Sequence, residues 1–205
     1  RVALLLIDAL RYELGVELHK QLAGDSPVDL QPAFAALPSV TAVGMAALLP
    51  GAGQNLTLAR QDAGVTPVLC DQTVANVTQR MNVLRQRYGQ RFHEVGLLDF
   101  VQNKAELPDT VELLVIRSNE MDNDFEKNPD TALNLIVRTF RQVQGAVLKL
   151  RSLGFQDAVI LTDHGFYLNT SVGPGDACAK PPGNWTNFHE RLLLGEGTAD
   201  SASWV

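Results

Sequence analysis

Residues 2–8 of the chain read Val-Ala-Leu-Leu-Leu-Ile-Asp, a run of six apolar residues that ends in an aspartate. A run that is apolar at every position, rather than at alternate positions, is typical of a strand buried on both faces of a sheet. Mostly apolar runs, with Glu112, Arg117 and Thr162 as their polar residues, also occur at residues 111–117 and 158–162. Between the runs, apolar residues recur at helical spacing, first at Leu10, Leu14, Leu18 and Leu22. This alternation predicts an α/β fold with a mostly parallel central sheet.

Turn-forming residues bound the other predicted elements. Pro38 and Ser39 precede a helix predicted over residues 40–49, which Pro50 and Gly51 end. Residues 52–66 are polar and weakly patterned, so no regular element is predicted before residue 65. The remaining predictions are helices over residues 77–88 and 132–153, short strands over residues 65–70 and 191–194, and an irregular loop over residues 169–187.

The composition fits one globular domain. The chain has 205 residues, of which 45% are hydrophobic and 20% are charged, and its formal net charge is −6. This acidic balance argues against a broad basic surface that would bind nucleic acid by charge alone. The apolar runs are too short to cross a bilayer. Cys70 and Cys178 lack metal-ligand spacing, which predicts reduced thiols in a cytoplasmic protein, with one disulfide as the alternative. We therefore expect a single domain over residues 1–205, excised from a longer protein.

Acidic residues follow each of the three strong strands. Asp8 follows the first, Asp122 comes shortly after the second, and Asp163 and His164 follow the third. Ligands of open α/β sheets bind beyond the carboxyl ends of parallel strands, so these side chains are expected to meet. Converging carboxylates need a cation, and the imidazole of His164 favours Zn²⁺ or Mn²⁺ over Mg²⁺ or Ca²⁺. The pattern predicts a divalent-metal site.

Taken singly, each candidate also has a structural explanation. Asp8 is placed to cap the helix that follows it, and Thr41 to cap the helix over residues 40–49. The others would be expected in polar turns or at a solvated surface: Asp122, Asp163, His164 and His189. The functional interpretation depends on the order in which the segments occur.

In that order the segments resemble the PglZ domain, a branch of the alkaline phosphatase superfamily. Residues 7–13, Ile-Asp-Ala-Leu-Arg-Tyr-Glu, resemble its opening, and residues 37–42, Leu-Pro-Ser-Val-Thr-Ala, resemble its nucleophile segment. Residues 161–166, Leu-Thr-Asp-His-Gly-Phe, resemble its adjacent Asp-His metal pair. The resemblance spans almost the whole chain. It implies an alkaline-phosphatase-like three-layer sandwich, with a mostly parallel central sheet and helices on both faces.

The resemblance also implies roles for individual residues. Thr41 would carry the attacking hydroxyl, and Arg11, near the expected pocket, would bind substrate or else pair with a helix carboxylate. One metal site would use Asp8, Thr41, Asp163 and His164. The other would use Asp122 and His189, with Glu126 standing where the superfamily often has a histidine. Glu126 can ligate a metal, but this departure leaves open whether the site holds one or two ions, of Zn²⁺ or alternatively Mn²⁺.

The function implied is that of a metal-dependent phosphoesterase in cytoplasmic, BREX-type bacterial defence against phage. A phosphodiester, with nucleic acid or an oligonucleotide as the candidate, is the expected substrate, and other defence proteins are the expected partners. The alternative is a catalytically silent phosphatase-fold module that assembles or recognises a defence complex. A mutase or sulfatase relative would share the metal ligands, but Thr41 disfavours a sulfatase. A basic cluster could guide a polyanion, although a solvated helix face is the favoured interpretation of Arg80, Arg85, Arg87 and Arg91.

Overall fold

The apolar run at residues 2–7 forms the strand that organises the molecule. The computed structural model describes residues 1–24, 27–61, 64–104, 106–119, 129–166, 173, 181–189 and 192–198. In chain order the elements are β1 (Val2–Ile7), α1 (Tyr12–Leu22), α2 (Thr41–Ala47), α3 (Ala52–Asn55), β2 (Leu56–Gln61), β3 (Gly64–Leu69), β4 (Gln72–Thr73), α4 (Val77–Tyr88), β5 (Phe92–Gly96), α5 (Leu97–Val101), β6 (Leu113–Ser118), α6 (Pro129–Ser152), β7 (Asp157–Leu161), β8 (Gly183–His189) and β9 (Leu192–Gly197).

The central sheet has the strand order β5-β6-β1-β7 in the part of the chain that is described, and all of its neighbouring strands are parallel. Leu5 in β1 lies opposite Ile116 in β6 and Ile160 in β7. Leu5 and Ile7 belong to the core on one face of the sheet, whereas Leu6 belongs to the core on the other face. Burial on both faces explains why this strand is apolar throughout.

Helices cover both faces of the sheet, which confirms the three-layer fold. On one face, α1, α5 and α6 contribute Leu18, Phe100 and Phe140 to a core that also contains Leu5. On the other face, α2 and α4 contribute Met45 and Met81, and β3 contributes Leu69. No helix among the described residues is both long and apolar enough to cross a membrane.

The structure contains regular elements that the sequence did not predict. Residues 52–61, expected to be irregular, form α3 and β2, and β2 pairs antiparallel with β3 outside the central sheet. Five of the six residues of β2 are exposed, so no burial pattern marked it. Strand β5 and helix α5 were also not predicted.

The irregular loop predicted over residues 169–187 is wrong where β8 begins at Gly183. Strand β8 pairs antiparallel with β9, and β9 agrees with the strand predicted over residues 191–194. The sequence of β8 is rich in Asn and Gly, a composition typical of loops, and its backbone pairing with β9 overrides that preference. Cys70 is exposed and forms no disulfide within the described ranges, whereas Cys178 lies outside them.

Candidate metal centre

The candidate site lies at the carboxyl edge of the central sheet. Asp8 directly follows β1, and Asp163 and His164 come shortly after β7. Because β1 and β7 are parallel neighbours in register, their following residues emerge side by side. The backbone N–H of Asp8 donates to the Ser118 carbonyl at 2.9 Å, which extends the pairing of β1 with β6 to the site.

The side chains of these residues are close enough to share one ion. Asp8, Asp163 and His164 each offer a ligand atom, and these atoms all lie within 4.8 Å of one another. The Nε2 atom of His164 is 3.4 Å from Asp163 Oδ2 and 3.8 Å from Asp8 Oδ1. Thr41, the first residue of α2, brings its Oγ1 to 3.0 Å from the same Nε2 atom. Four residues from three separate segments therefore converge on one point.

Burial makes this arrangement costly without a cation. Asp8, Asp163 and His164 are 6%, 4% and 3% exposed. Asp163 Oδ2 is buried and has no hydrogen-bond partner among the described residues. A buried carboxylate oxygen without a partner is strongly destabilising, and a metal ion is a common way to satisfy it. The residues present thus fit a divalent cation.

The hydrogen bonds of His164 fix which ring nitrogen can bind a metal. Its Nδ1 atom is 2.8 Å from the Gly165 carbonyl oxygen, and a carbonyl only accepts. The proton is therefore assigned to Nδ1, which leaves the Nε2 lone pair directed at the cluster and able to accept from the Thr41 hydroxyl. A metal-ligating histidine typically donates its other ring N–H to a carbonyl or carboxylate in this way.

Asp163 is held in place by two backbone donors. Its Oδ1 atom accepts from the N–H of His164 at 2.9 Å and from the N–H of Ala9 at 3.2 Å. Ala9 is fully buried and has a φ of 58°, in the left-handed region that non-glycine residues rarely occupy. The turn after β1 thus aims a backbone donor at Asp163. This role of Ala9 could not be predicted, because a backbone N–H leaves no signal in the sequence.

Arg11 lies beside the site but is engaged by a neighbouring carboxylate. Its guanidinium makes two hydrogen bonds to Glu13, at 2.7 and 2.8 Å, and lies 5.4 Å from the centre of the Phe166 ring. Hydrogen bonding to Arg11 lowers the pKa of Glu13 to about 2, and the same bond raises the pKa of Arg11. Pairing with a helix carboxylate was one of the two alternatives that the sequence left open. Substrate binding by Arg11 stays a prediction.

Arg80 is not part of a surface, contrary to its place in the predicted basic cluster. It is 6% exposed, and it donates to the carbonyls of Val74 and Ala75 at 3.4 and 2.7 Å. Burial lowers the pKa of Arg80, and the nearby charges of Asp163 and Asp8 act in the opposite direction. Nothing in the sequence around Arg80 indicates that this arginine is close to the site.

Two other members of the cluster are also engaged. Arg85 pairs with Glu94 at 3.0 Å, and Arg91 pairs with Glu112 at 2.9 Å. Both ion pairs are substantially exposed, which agrees with the interpretation of these residues as a solvated surface.

The second predicted metal site falls largely outside the described residues. Asp122 and Glu126 are both outside them. His189 is the last residue of β8, and its backbone pairs with that of Leu192. The His189 side chain lies outside the described part of the structure. The assignment of these three residues to a metal site stays a prediction.

Comparison with known proteins relates the whole chain to one family. A family model described as the BREX system PglZ alkaline phosphatase-like domain matches residues 1–205. A curated protein of Escherichia coli O9:H4 (strain HS), the alkaline phosphatase-like protein BrxZ, is 28% identical over 220 residues. That alignment covers 100% of this chain and 24% of the relative, so the chain spans about a quarter of the relative's length. A search of the solved structures found no significant match.

Proposed function

The chain belongs to the PglZ family of alkaline phosphatase-like domains, and on this premise we propose that it is a metal-dependent phosphoesterase with Thr41 as its nucleophile. The observation that carries the proposal is the position of the Thr41 hydroxyl, 3.0 Å from His164 Nε2 in a cluster that also holds Asp8 and Asp163. A hydroxyl beside three buried ligands has the surroundings that an activated nucleophile requires.

In this mechanism Asp8, Asp163 and His164 would hold a divalent cation. The cation would lower the pKa of the Thr41 hydroxyl and so allow its oxygen to attack phosphorus. Thr41 would release its hydroxyl proton to water as Oγ1 forms a bond to phosphorus. The bond from phosphorus to the ester oxygen breaks, and the leaving alkoxide takes a proton from water to become the alcohol. A water molecule then attacks the phosphothreonine, releases phosphate or a monoester, and restores the hydroxyl. Asp163 keeps its orientation throughout, because the N–H groups of Ala9 and His164 anchor Oδ1.

The metal proposed is Zn²⁺, with Mn²⁺ as the alternative, because the ligand set combines one imidazole with carboxylate oxygens. We assign a second ion to Asp122, His189 and Glu126. The mixture of two carboxylates and one imidazole would again suit either metal.

The proposed substrate class is a phosphodiester, with nucleic acid or an oligonucleotide as the candidate. The family description places related domains in the BREX system. We therefore propose that the protein acts in defence against phage and works with other proteins of such a system, in the cytoplasm. Arg11 is the proposed contact for the substrate phosphate, and its pairing with Glu13 would have to exchange for that contact.

Purified protein tests this proposal directly. Its metal content would be measured by elemental analysis, and hydrolysis of bis(p-nitrophenyl) phosphate and p-nitrophenyl phosphate would be followed with Zn²⁺, with Mn²⁺ and with chelator. Bound metal and hydrolysis of the diester, lost in chelator, are expected. Hydrolysis of the monoester alone would contradict the substrate class, and bound metal without any hydrolysis would contradict the proposed activity. A protein with neither metal nor activity would instead support a silent module.

A further inference from the structure

Gly44 occupies an unexpected place, since it is buried in the middle of the short helix α2. Glycine is, after proline, the residue least suited to a helix interior, because it loses the most backbone freedom on folding. Alanine would be the more stable choice at an unconstrained helical position. A glycine at this place needs a reason in the packing around it.

The reason is the approach of α2 to Asp163. A Cβ atom built on Gly44 would lie 2.7 Å from the Cβ of Asp163 and 2.8 Å from its carbonyl oxygen. Neither atom is the end of a flexible side chain, and the Asp163 carboxylate is held by two backbone donors. A side chain at residue 44 would therefore force the helix and the Asp163 segment apart.

This contact lies next to the proposed nucleophile. Residues three apart face the same side of a helix, so Thr41 and Gly44 both face the segment that contains Asp163 and His164. The hydroxyl of Thr41 reaches His164 on the same helix face on which Gly44 meets Asp163. The distance between helix and segment at residue 44 thus sets the distance from Thr41 to the metal ligands.

The helix is the part expected to move if the contact is filled. It has seven residues, and no side chain makes a capping hydrogen bond at its N-terminus. Asp163 instead follows a strand of the central sheet, and its Oδ1 is tied to the turn after β1. A larger residue would displace α2 and leave the three metal ligands where they are.

We propose that Gly44 is a positioning residue, which lets α2 approach Asp163 closely enough to place the Thr41 hydroxyl at the metal ligands. This role rests on the proposed function, because it concerns the nucleophile of that reaction. Gly44 has no side chain with which to bind substrate or metal. Because Gly44 has no side chain, α2 can lie close to Asp163 at this position.

The test compares Gly44→Ala with two matched variants. Gly53→Ala adds the same methyl group in helix α3, where the added Cβ would meet no described atom within 4 Å apart from its chain neighbours and the backbone of its own helix. Met45→Ala weakens the packing of α2 from its neighbouring position, within the core that contains Leu6 and Leu69, without filling the Asp163 contact. Circular dichroism would establish a temperature at which the wild type and all three variants are folded. Diester hydrolysis and zinc affinity would then be measured at that temperature, and a crystal structure of each protein would be determined.

In Gly44→Ala we expect kcat to fall on the order of 100-fold, the effect of misplacing a reacting group by about 1 Å, with KM nearly unchanged. Zinc affinity should stay close to that of the wild type, and Thr41 Oγ1 should lie beyond hydrogen-bond distance of His164 Nε2. Gly53→Ala and Met45→Ala should keep the wild-type kcat, although Met45→Ala should melt at a lower temperature.

Three results would overturn the positioning role. They are an unchanged kcat in Gly44→Ala, an unchanged separation of Thr41 from His164, or failure of Gly44→Ala to fold where Met45→Ala folds. Failure to fold would make Gly44 a requirement of the fold rather than of the site. If the wild-type protein hydrolyses no ester, the proposed function fails, whereas the Thr41 to His164 separation still decides whether Gly44 positions the hydroxyl.

Discussion

The two carboxylate oxygens of Asp163 have different surroundings and different expected roles. Oδ1 accepts from the backbone N–H groups of Ala9 and His164, while Oδ2 lies buried 3.4 Å from His164 Nε2. The first oxygen fixes the side chain, and the second is the one that a cation would bind. We expect this arrangement to lower the stability of the metal-free protein, because Oδ2 is buried without a hydrogen-bond partner among the described residues.

The substitution Asp163→Asn separates the structural role of Oδ1 from the proposed role of Oδ2 in binding a cation. The amide oxygen can keep the bonds to Ala9 and His164, while the amide N–H can donate to the Nε2 lone pair of His164. In chelator the free energy of unfolding should rise by about 1 kcal/mol, because the amide introduced at residue 163 donates a hydrogen bond to the buried Nε2 atom of His164. Zinc affinity should fall by more than about 100-fold, since a charged ligand is lost.

Urea denaturation and zinc titration would measure both effects, with Asp157→Asn as the control, at the exposed start of strand β7 that precedes Asp163. That control should change neither quantity. Zinc affinity that survives in Asp163→Asn would remove Asp163 from the metal site.

The Arg11–Glu13 pair makes a prediction about pH. Hydrogen bonding from Arg11 depresses the pKa of Glu13 from 4.5 to about 2. A depressed carboxylate pKa contributes stability that is present above the unfolded value and is lost as the pH falls from about 4.5 towards 2. In Arg11→Met the pKa of Glu13 should rise towards 4.5, as followed by carbon NMR of the Glu13 carboxyl.

Arg151→Met provides the control, because it removes an exposed arginine at the end of α6. The Glu13 titration should be unaffected there. An ordinary Glu13 pKa in the wild-type protein would show that Arg11 is not held by this carboxylate in solution, and that it is available to substrate without any exchange.

At the level of single residues, the sequence predicted side chains but not backbone roles. Asp8, Asp163 and His164 could be predicted to meet because they follow strands that read as parallel neighbours. The roles of Ala9 and Gly44 could not be predicted, since one acts through its N–H and the other through a missing side chain. Both depend on distances between segments that are far apart in the chain.

At the level of elements, burial decided which strands could be recognised. Strands β1 and β6 read as apolar runs because helices cover both of their faces. Strand β5 contains His93 and Glu94, and Glu94 is satisfied by ion pairs with Arg85 and Arg117. Its polar residues hid a strand that the tertiary structure stabilises.

Helix α4 begins with a signal that can be tested. Asn76 accepts from the backbone N–H of Gln79 at 2.9 Å, and the Gln79 side chain accepts from the backbone N–H of Asn76 at 3.2 Å. This capping box satisfies two donors that the helix itself leaves unpaired. Asn76→Ala should lower the free energy of unfolding by about 1 kcal/mol, measured by urea denaturation.

Thr78→Ala, in the exposed first turn of the same helix, should change stability by less than about 0.5 kcal/mol. Equal effects of the two substitutions would mean that the cap contributes nothing of its own to the helix.

At the level of the whole molecule, the three layers place Asp8, Asp163 and His164 at one edge of the sheet in a chain whose formal net charge is −6. A cation bound there would offset part of that charge and would bind the folded chain only. Stability should therefore depend on metal. Zinc at 100 times its dissociation constant should add about 2.7 kcal/mol and raise the melting temperature relative to chelator.

Differential scanning calorimetry of the wild type and Asp163→Asn would check this expectation. The shift should be nearly absent in the variant. A melting temperature that is independent of zinc in the wild-type protein would mean that the cluster is a polar contact rather than a metal site.

Turnover of bis(p-nitrophenyl) phosphate by Thr41→Ala decides whether Thr41 is the nucleophile of a metal-dependent phosphoesterase. The variant loses only a partly exposed hydroxyl in the first turn of α2, so its circular dichroism spectrum and melting temperature should stay close to those of the wild type. With zinc or manganese present, hydrolysis by the wild type and none by Thr41→Ala is the predicted result. Unchanged hydrolysis by Thr41→Ala would mean that Thr41 is not the nucleophile.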